Sequence, residues 1–301
     1  MSIAARTIED QIMPAVLTVQ PKQKDLGGGF LVRRLLPAAA RRAVGPFIFF
    51  DHFGPVIEHP SDNFDVRPHP HIGLATVTYL FEGAMMHRDS LGYTQRIEPG
   101  AINWMTAGSG IVHSERRPDD FANADHRIHG LQLWAGLPSA QEECAPSFSH
   151  TPASALPVFN GDGFSARVLI GSAFGLQSPV ATFSETLYID VAMTAGATIE
   201  LPCCAAELAL YSVDNALDID GDLAEPLQLA VLDATRTTIV KAAQGARFVV
   251  LGGAPLNGYR HLWWNFVSSR KERIEQAKME WQAQRFASVP GESDYIPLPE
   301  H

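Results

Sequence analysis

Four side chains able to bind a transition metal stand in two pairs, and within each pair one residue separates the members. His69 and His71 lie in Pro68-His69-Pro70-His71-Ile72-Gly73, and His113 and Glu115 lie in Gly108-Ser109-Gly110-Ile111-Val112-His113-Ser114-Glu115. A β-strand sends alternate side chains to the same face, so each pair shares a face if its stretch is a strand. Two such strands side by side in a barrel bring three imidazole nitrogens and one carboxylate oxygen to one point. That mixed set suits borderline divalent metals such as Fe(II) and leaves coordination positions open. The chain has eleven histidines, and a lone one is more often a surface or satisfied core residue than a ligand. Two pairs at period two, each beside glycine-rich turns, form a stronger signal. His52 has no partner of ligand type at that spacing, and His59 sits in a polar loop that reads as exposed.

The surrounding sequence is patterned to supply strands. Phe47–Phe50 is a short continuous apolar run of the kind buried on both faces, and Asp51-His52-Phe53-Gly54-Pro55 reads as its end. Strands are expected near 30–36, 74–81, 84–90, 94–97, 101–105, 111–115 and 126–137, with Glu98-Pro99-Gly100 as a turn. Short strands at near-regular spacing with Gly and Pro punctuation predict an all-β barrel or sandwich. Residues 1–18 read as an arm or an edge strand. The triple glycine Gly27-Gly28-Gly29 reads as a turn, because no P-loop Lys-Ser/Thr follows.

The stretch 145–158 is rich in Pro, Ser and Ala and is expected to be a linker. A second strand-rich half follows, with clear strands near 166–170, 186–192, 206–213, 227–232 and 247–251. No histidine occurs between His150 and His261, so a second barrel here has no imidazole metal site. Asp214, Asp218, Asp220 and Asp222 lack the spacing of a full calcium loop and read as a solvated turn. Cys203 and Cys204 read as small apolar residues in a strand region. Near the end the period changes: Ser269-Arg270-Lys271-Glu272 fits a capping box, and Ile274, Ala277 and Trp281 recur at helical spacing. Trp263-Trp264-Asn265-Phe266 reads as core, and residues 290–301 as a strap or tail.

Composition bounds the function. With 301 residues, 46% of them hydrophobic and 19% charged, the chain has ample material for a globular core. A formal net charge of −10 argues against direct nucleic-acid binding, which needs clustered Lys and Arg against phosphates. No stretch reaches the apolar length of a membrane span. Glu9 and Asp10 arrive too early for a secretory signal, and three cysteines do not make a disulfide framework, so a cytoplasmic location is expected.

Three segments together resemble the pirin family: Phe47-Ile48-Phe49-Phe50-Asp51-His52-Phe53-Gly54-Pro55, Arg67-Pro68-His69-Pro70-His71-Ile72-Gly73 and Asn103–Glu115. The resemblance implies two cupin-type β-barrels with a C-terminal helix. The first barrel, 1–144, would carry the metal, and 159–301 would hold a metal-less barrel and the helix, with 145–158 between them. It implies a non-haem iron site held by His69, His71, His113 and Glu115; Mn, Ni, Cu and Zn tolerate the same set. Members of the family include enzymes that open flavonols such as quercetin with dioxygen, and metal-dependent partners of transcription factors or metabolic enzymes. The implied partners here are a flavonol-like small molecule and O2, or a protein, with no nucleic acid or membrane. Glu115 is expected to be ligand, general base or both. Many pirins have Glu where this chain has Ala75, so Ala75 is expected either to leave space or to lose a hydrogen bond to the site. Phe49, Asp51, Arg67, Met105 and Arg116 are the candidate rim residues.

Overall fold

Each half of the chain closes a seven-stranded antiparallel sheet against a four-stranded one, which makes two barrels. This architecture comes from a computed structural model that describes residues 17–300. In the first barrel the large sheet runs in the order Ser147–Thr151, Ile102–Thr106, Leu74–Glu82, His126–Gly136, Phe47–Glu58, Leu31–Leu36, Lys22–Asp25. The small sheet runs Val66–His71, Ile111–Arg116, Met85–Asp89, Thr94–Ile97. The second barrel repeats the plan with strands from 158 onward, and Leu17–Val19 joins its large sheet at an edge. The rest of the expected arm, residues 1–16, lies outside the described residues.

The backs of the two large sheets pack on each other, and this explains the near-continuous apolar runs. On the strand Leu74–Glu82, the odd residues Ala75, Val77, Tyr79 and Phe81 join one core with Tyr188, Tyr211, Val249 and Leu251 of the second barrel. The even residues turn into the first barrel: Leu74 and Leu80 join its inner clusters, and the Thr78 hydroxyl reaches Glu115. A strand with apolar cover on both sides cannot show a clean alternation. Polar pins cross the same interface: Tyr79 Oη donates to Asp190 at 2.6 Å, and Asp190 in turn accepts from Arg247.

Several expectations change. The strand that starts at Phe47 does not end at Asp51 but continues to Glu58. Its polar residues are absorbed on opposite faces: Asp51 accepts a bidentate pair of bonds from Arg34, while His52 bridges Tyr211 and His129 at 2.6 and 2.7 Å. The expected linker holds the strand Ser147–Thr151, which pairs with Ile102–Thr106. Val158–Gly161 pairs within the second barrel. Helix Lys271–Gln282 forms, but without the capping box. The Ser269 amide and hydroxyl both donate to buried Glu142, so the serine is not free to cap. The helix buries Ile274, Ala277 and Trp281 as its spacing predicts, in one cluster with Ile72 and Phe266. Cys203 and Cys204 lie after a strand rather than in one, and both are free thiols. Asp218 and Asp220 accept backbone amides of Gly221 and Ile239, which is how that acidic turn is used.

Candidate metal centre

The strands Val66–His71 and Ile111–Arg116 are neighbours in the small sheet, with His113 directly opposite His69. Gly73 makes the tight exit from the first of them: its φ is +69°, and a Cβ there would lie 1.9 Å from the Val267 carbonyl oxygen. The pairing brings the ligand atoms of His69, His71 and His113 within 4.8 Å of one another, all buried. The three rings converge with centroids 4.4 to 5.0 Å apart and planes inclined to each other by 54° to 73°.

The nitrogens are arranged for an ion. His69 Nδ1 faces the Arg67 carbonyl at 2.9 Å, so that nitrogen carries the proton and Nε2 keeps its lone pair. His113 Nε2 and His71 Nδ1 are buried with no hydrogen-bond partner. Orphaned buried polar atoms are costly unless something binds them. Burial lowers the His69 pKa to about 4. It also pushes His71 and His113 well below the usual imidazole range, with the neighbouring imidazoles adding to the effect. Neutral imidazoles are the form a metal requires, so these residues fit a divalent transition metal.

Glu115 stands apart from the tight triad. The pairing shifts between His113 and Glu115, and Glu115 faces Val66 rather than Arg67. Its carboxylate accepts from Thr78 Oγ1 at 3.3 Å. Burial raises its pKa to about 7, which the Thr78 bond only partly offsets.

Glu115, His69 and His71 line one side of a cavity of about 450 Å³. Phe49 and Trp134 wall it, stacked at 3.9 Å with their planes 10° apart. The Arg34 guanidinium lies 4.4 Å over Phe49, held there by Asp51. Phe30, Phe53, Leu262, Trp264 and Ile296 complete a largely apolar lining.

Of the rim candidates, Phe49 and Asp51 line this cavity, and Arg67, Met105 and Arg116 do not. Arg67 is exposed and serves the site only through its carbonyl. Met105 is packed in an inner cluster with Ile48 and Leu74. Arg116 is tied to Glu292, Asp294 and Asp65. Ala75 faces the core between the barrels, so its lack of a carboxyl does not remove a partner of the triad. Trp264 packs against the cluster of Ile72 and Phe266, as expected of core, and together with Asn265 it also lines the cavity. His52 takes part in the contact between the barrels, and His59 is exposed beside Asp125. The sequence reasoning missed Gln132 and Trp134 on the cavity wall, and His87 and Asp89 behind His113. His87-Arg88-Asp89 is itself a pair at period two, which was the available signal. Among the described residues no helix is long and apolar enough to cross a membrane.

A small-sheet triad of histidines inside the first of two such barrels defines the chain as a two-barrel cupin protein. The pirin family model matches residues 29–135, and the pirin C-terminal cupin domain model matches 188–287. A pirin-like protein of Caulobacter vibrioides is 44% identical over 94% of this chain and 99% of its own length. Human pirin is 32% identical over 88% of this chain and 91% of its own. The crystal structure of quercetin 2,3-dioxygenase from Acinetobacter baumannii superposes with a TM-score of 0.87 at 32% identity, covering 94% of this chain and 95% of that one. The chain belongs to the pirin family.

Proposed function

We propose that the chain is a cytoplasmic, iron(II)-dependent dioxygenase that opens the heterocycle of a flavonol such as quercetin. The observation that carries this reading is a triad of imidazoles held in the neutral form, two of which, His69 and His71, open with the buried carboxyl of Glu115 onto one largely apolar, aromatic-sided cavity. The dioxygenase named above shares the fold over nearly the whole chain, which supports the same choice of substrate. His69, His71 and His113 hold the ion. A bound iron(II) would supply Lewis acidity toward a substrate hydroxyl and access to dioxygen.

The rest falls to the chain's own side chains. Glu115, with a pKa near 7, has both protonation states populated at neutral pH, as a general base requires. It takes the proton of the flavonol 3-hydroxyl, and ionisation makes the ring electron-rich. Its second expected role, as a fourth donor, needs its carboxylate to approach the imidazoles more closely. Trp134 and Phe49 contribute aromatic surface to the lining, against which a planar ring can pack. The apolar lining keeps the ionised substrate away from bulk water.

The test is aerobic turnover of quercetin by iron-loaded protein, followed as loss of the flavonol absorbance, against the His69→Ala, His71→Ala double variant. Turnover present in the parent and absent in the variant is the expected result. No turnover from protein with verified full loading overturns the reading.

One observation favours a second reading, a metal-dependent regulator or interaction partner of another protein. Ser114, between His113 and Glu115, donates to Glu292 at 2.5 Å, and Arg116 on the same strand bonds Glu292 and Asp294. This ties the strand of His113 to the C-terminal segment, whose Asp294 is exposed. A protein partner whose affinity changes with the oxidation state of bound iron would support that reading.

A further inference from the structure

We propose that Asp89 and His87 are positioning residues that fix the tautomer of His113 and so choose which of its nitrogens faces the ion. The proposal rests on the reading of His69, His71 and His113 as the metal site. Asp89, His87 and His113 are all buried, with relative exposures of 0%, 4% and 1%. The strand Met85–Asp89 runs beside Ile111–Arg116, with Asp89 opposite His113 and His87 opposite Glu115. Asp89 Oδ1 accepts the backbone amides of Leu91 and Tyr93 at 2.9 and 3.1 Å. Asp89 Oδ2 faces His87 Nε2 at 2.9 Å. A carboxylate only accepts, so the contact puts a proton on His87 Nε2, and in that tautomer the lone pair lies on Nδ1. That nitrogen faces His113 Nδ1 at 3.4 Å. Two facing ring nitrogens need one proton between them, and it sits on His113 Nδ1. The lone pair of His113 is then on Nε2, the nitrogen that is buried without a partner. The ring of His87 is held in plane by Phe148, stacked at 4.2 Å and 11°.

The sequence of hydrogen bonds therefore has one direction, from His113 through His87 to Asp89, and it ends on a charge that cannot donate. Metal-bound histidines generally need such a partner on the second nitrogen, and losing it weakens metal binding by about 10- to 100-fold. Asp89→Asn reverses the order while keeping the shape. The amide oxygen still accepts from Leu91 and Tyr93, and the amide NH2 then donates to His87 Nε2. His87 must donate from Nδ1 to His113 Nδ1, and the His113 proton moves to Nε2.

The experiment has two arms. Long-range 1H–15N correlation of the histidine rings in the metal-free protein reads the tautomers directly. The expected result is His113 protonated on Nδ1 in the parent protein and on Nε2 in Asp89→Asn. A parent His113 protonated on Nε2 overturns the proposal without any variant. In the second arm, zinc affinity is measured by competition with a chromophoric chelator, and the melting temperature of the metal-free protein serves as the control for folding. The expected result is about 10- to 100-fold weaker binding in Asp89→Asn with an unchanged melting temperature. Equal affinity in a correctly folded variant overturns the proposal. No zinc binding by the parent protein instead overturns the metal-site reading on which it rests.

Discussion

The two barrels share a plan of seven strands against four, and they fill their interiors differently. Inside the second barrel, Val168, Leu187, Ile189, Leu210, Leu217, Ile219, Phe248 and Val250 close a continuous apolar core. The first barrel gives up that packing around its small sheet. There it places three imidazoles, a carboxyl, the Arg34–Asp51 pair and a cavity of about 450 Å³. Close packing contributes stability, and unpartnered buried polar groups oppose it. One barrel is thus filled while the other keeps a cavity for the proposed chemistry, and the apolar face between them joins the two. Functional sites commonly break local rules of core composition in this way.

The largest effect should come from Glu115, the carboxyl that lines the cavity together with His69 and His71. Glu115→Gln removes the base but keeps its volume, so quercetin turnover should fall by about 10²- to 10⁴-fold. Stability against urea should stay the same or rise, because the amide carries no charge to bury. Retained turnover would show that Glu115 is not the base.

In the filled barrel the expectation is reversed. Phe248 is fully buried, and Phe248→Ala should cost about 3–5 kcal/mol in urea unfolding. Metal affinity in the protein that remains folded should not change. A loss below 1 kcal/mol would mean that this core is not closely packed.

Acid should separate the two barrels by a smaller margin. Burial lowers His52 to about 3 and His69 and His129 to about 4, and holds His71 and His113 well down. The unfolded chain takes up these protons near pH 6.5 while the folded one resists, so the unfolded state binds more protons and metal-free stability falls as pH drops below 6.5. Glu115 acts in the opposite direction: its pKa is raised to about 7, so its contribution is full below about pH 4.5 and is lost as pH rises through 7. The lowered histidines, with His126 and His150 also lowered, outnumber Glu115 and the raised carboxyls of Asp51 and Glu58 and set the net direction. Hydrogen exchange at pH 5 should show protection lost first in the strands 66–71 and 111–116, with 187–193 and 246–253 retained. Equal loss in both barrels would show that the histidines do not set acid stability.

The second barrel was legible as strands but not as a complete sheet. Its short members Ala197–Leu201, Leu217–Ile219 and Thr238–Ala242 do alternate between buried and more exposed positions, but over three to five residues flanked by polar turns, so the signal was there and was not picked out. Ser147–Thr151 was hidden because its composition is that of a loop, and only its pairing with Ile102–Thr106 makes it a strand. Asp51 and His52 looked like a break because polar residues in an apolar run usually end a strand. Here Arg34 and Tyr211, 17 and 159 residues away in the chain, satisfy them.

The sequence by itself determined which side chains share a face. Alternation along a strand is a local property, and it placed His69 with His71, and His113 with Glu115, without any knowledge of the rest of the chain. It also determined that the strands between His150 and His261 have no imidazoles to offer. The tertiary structure decided how far that sharing extends. A shift in strand pairing set Glu115 away from the three nitrogens. Contacts from other strands decided which nitrogen of His113 lacks a partner, and packing decided which barrel is hollow. These depend on neighbours distant in the chain, and no local period carries that information.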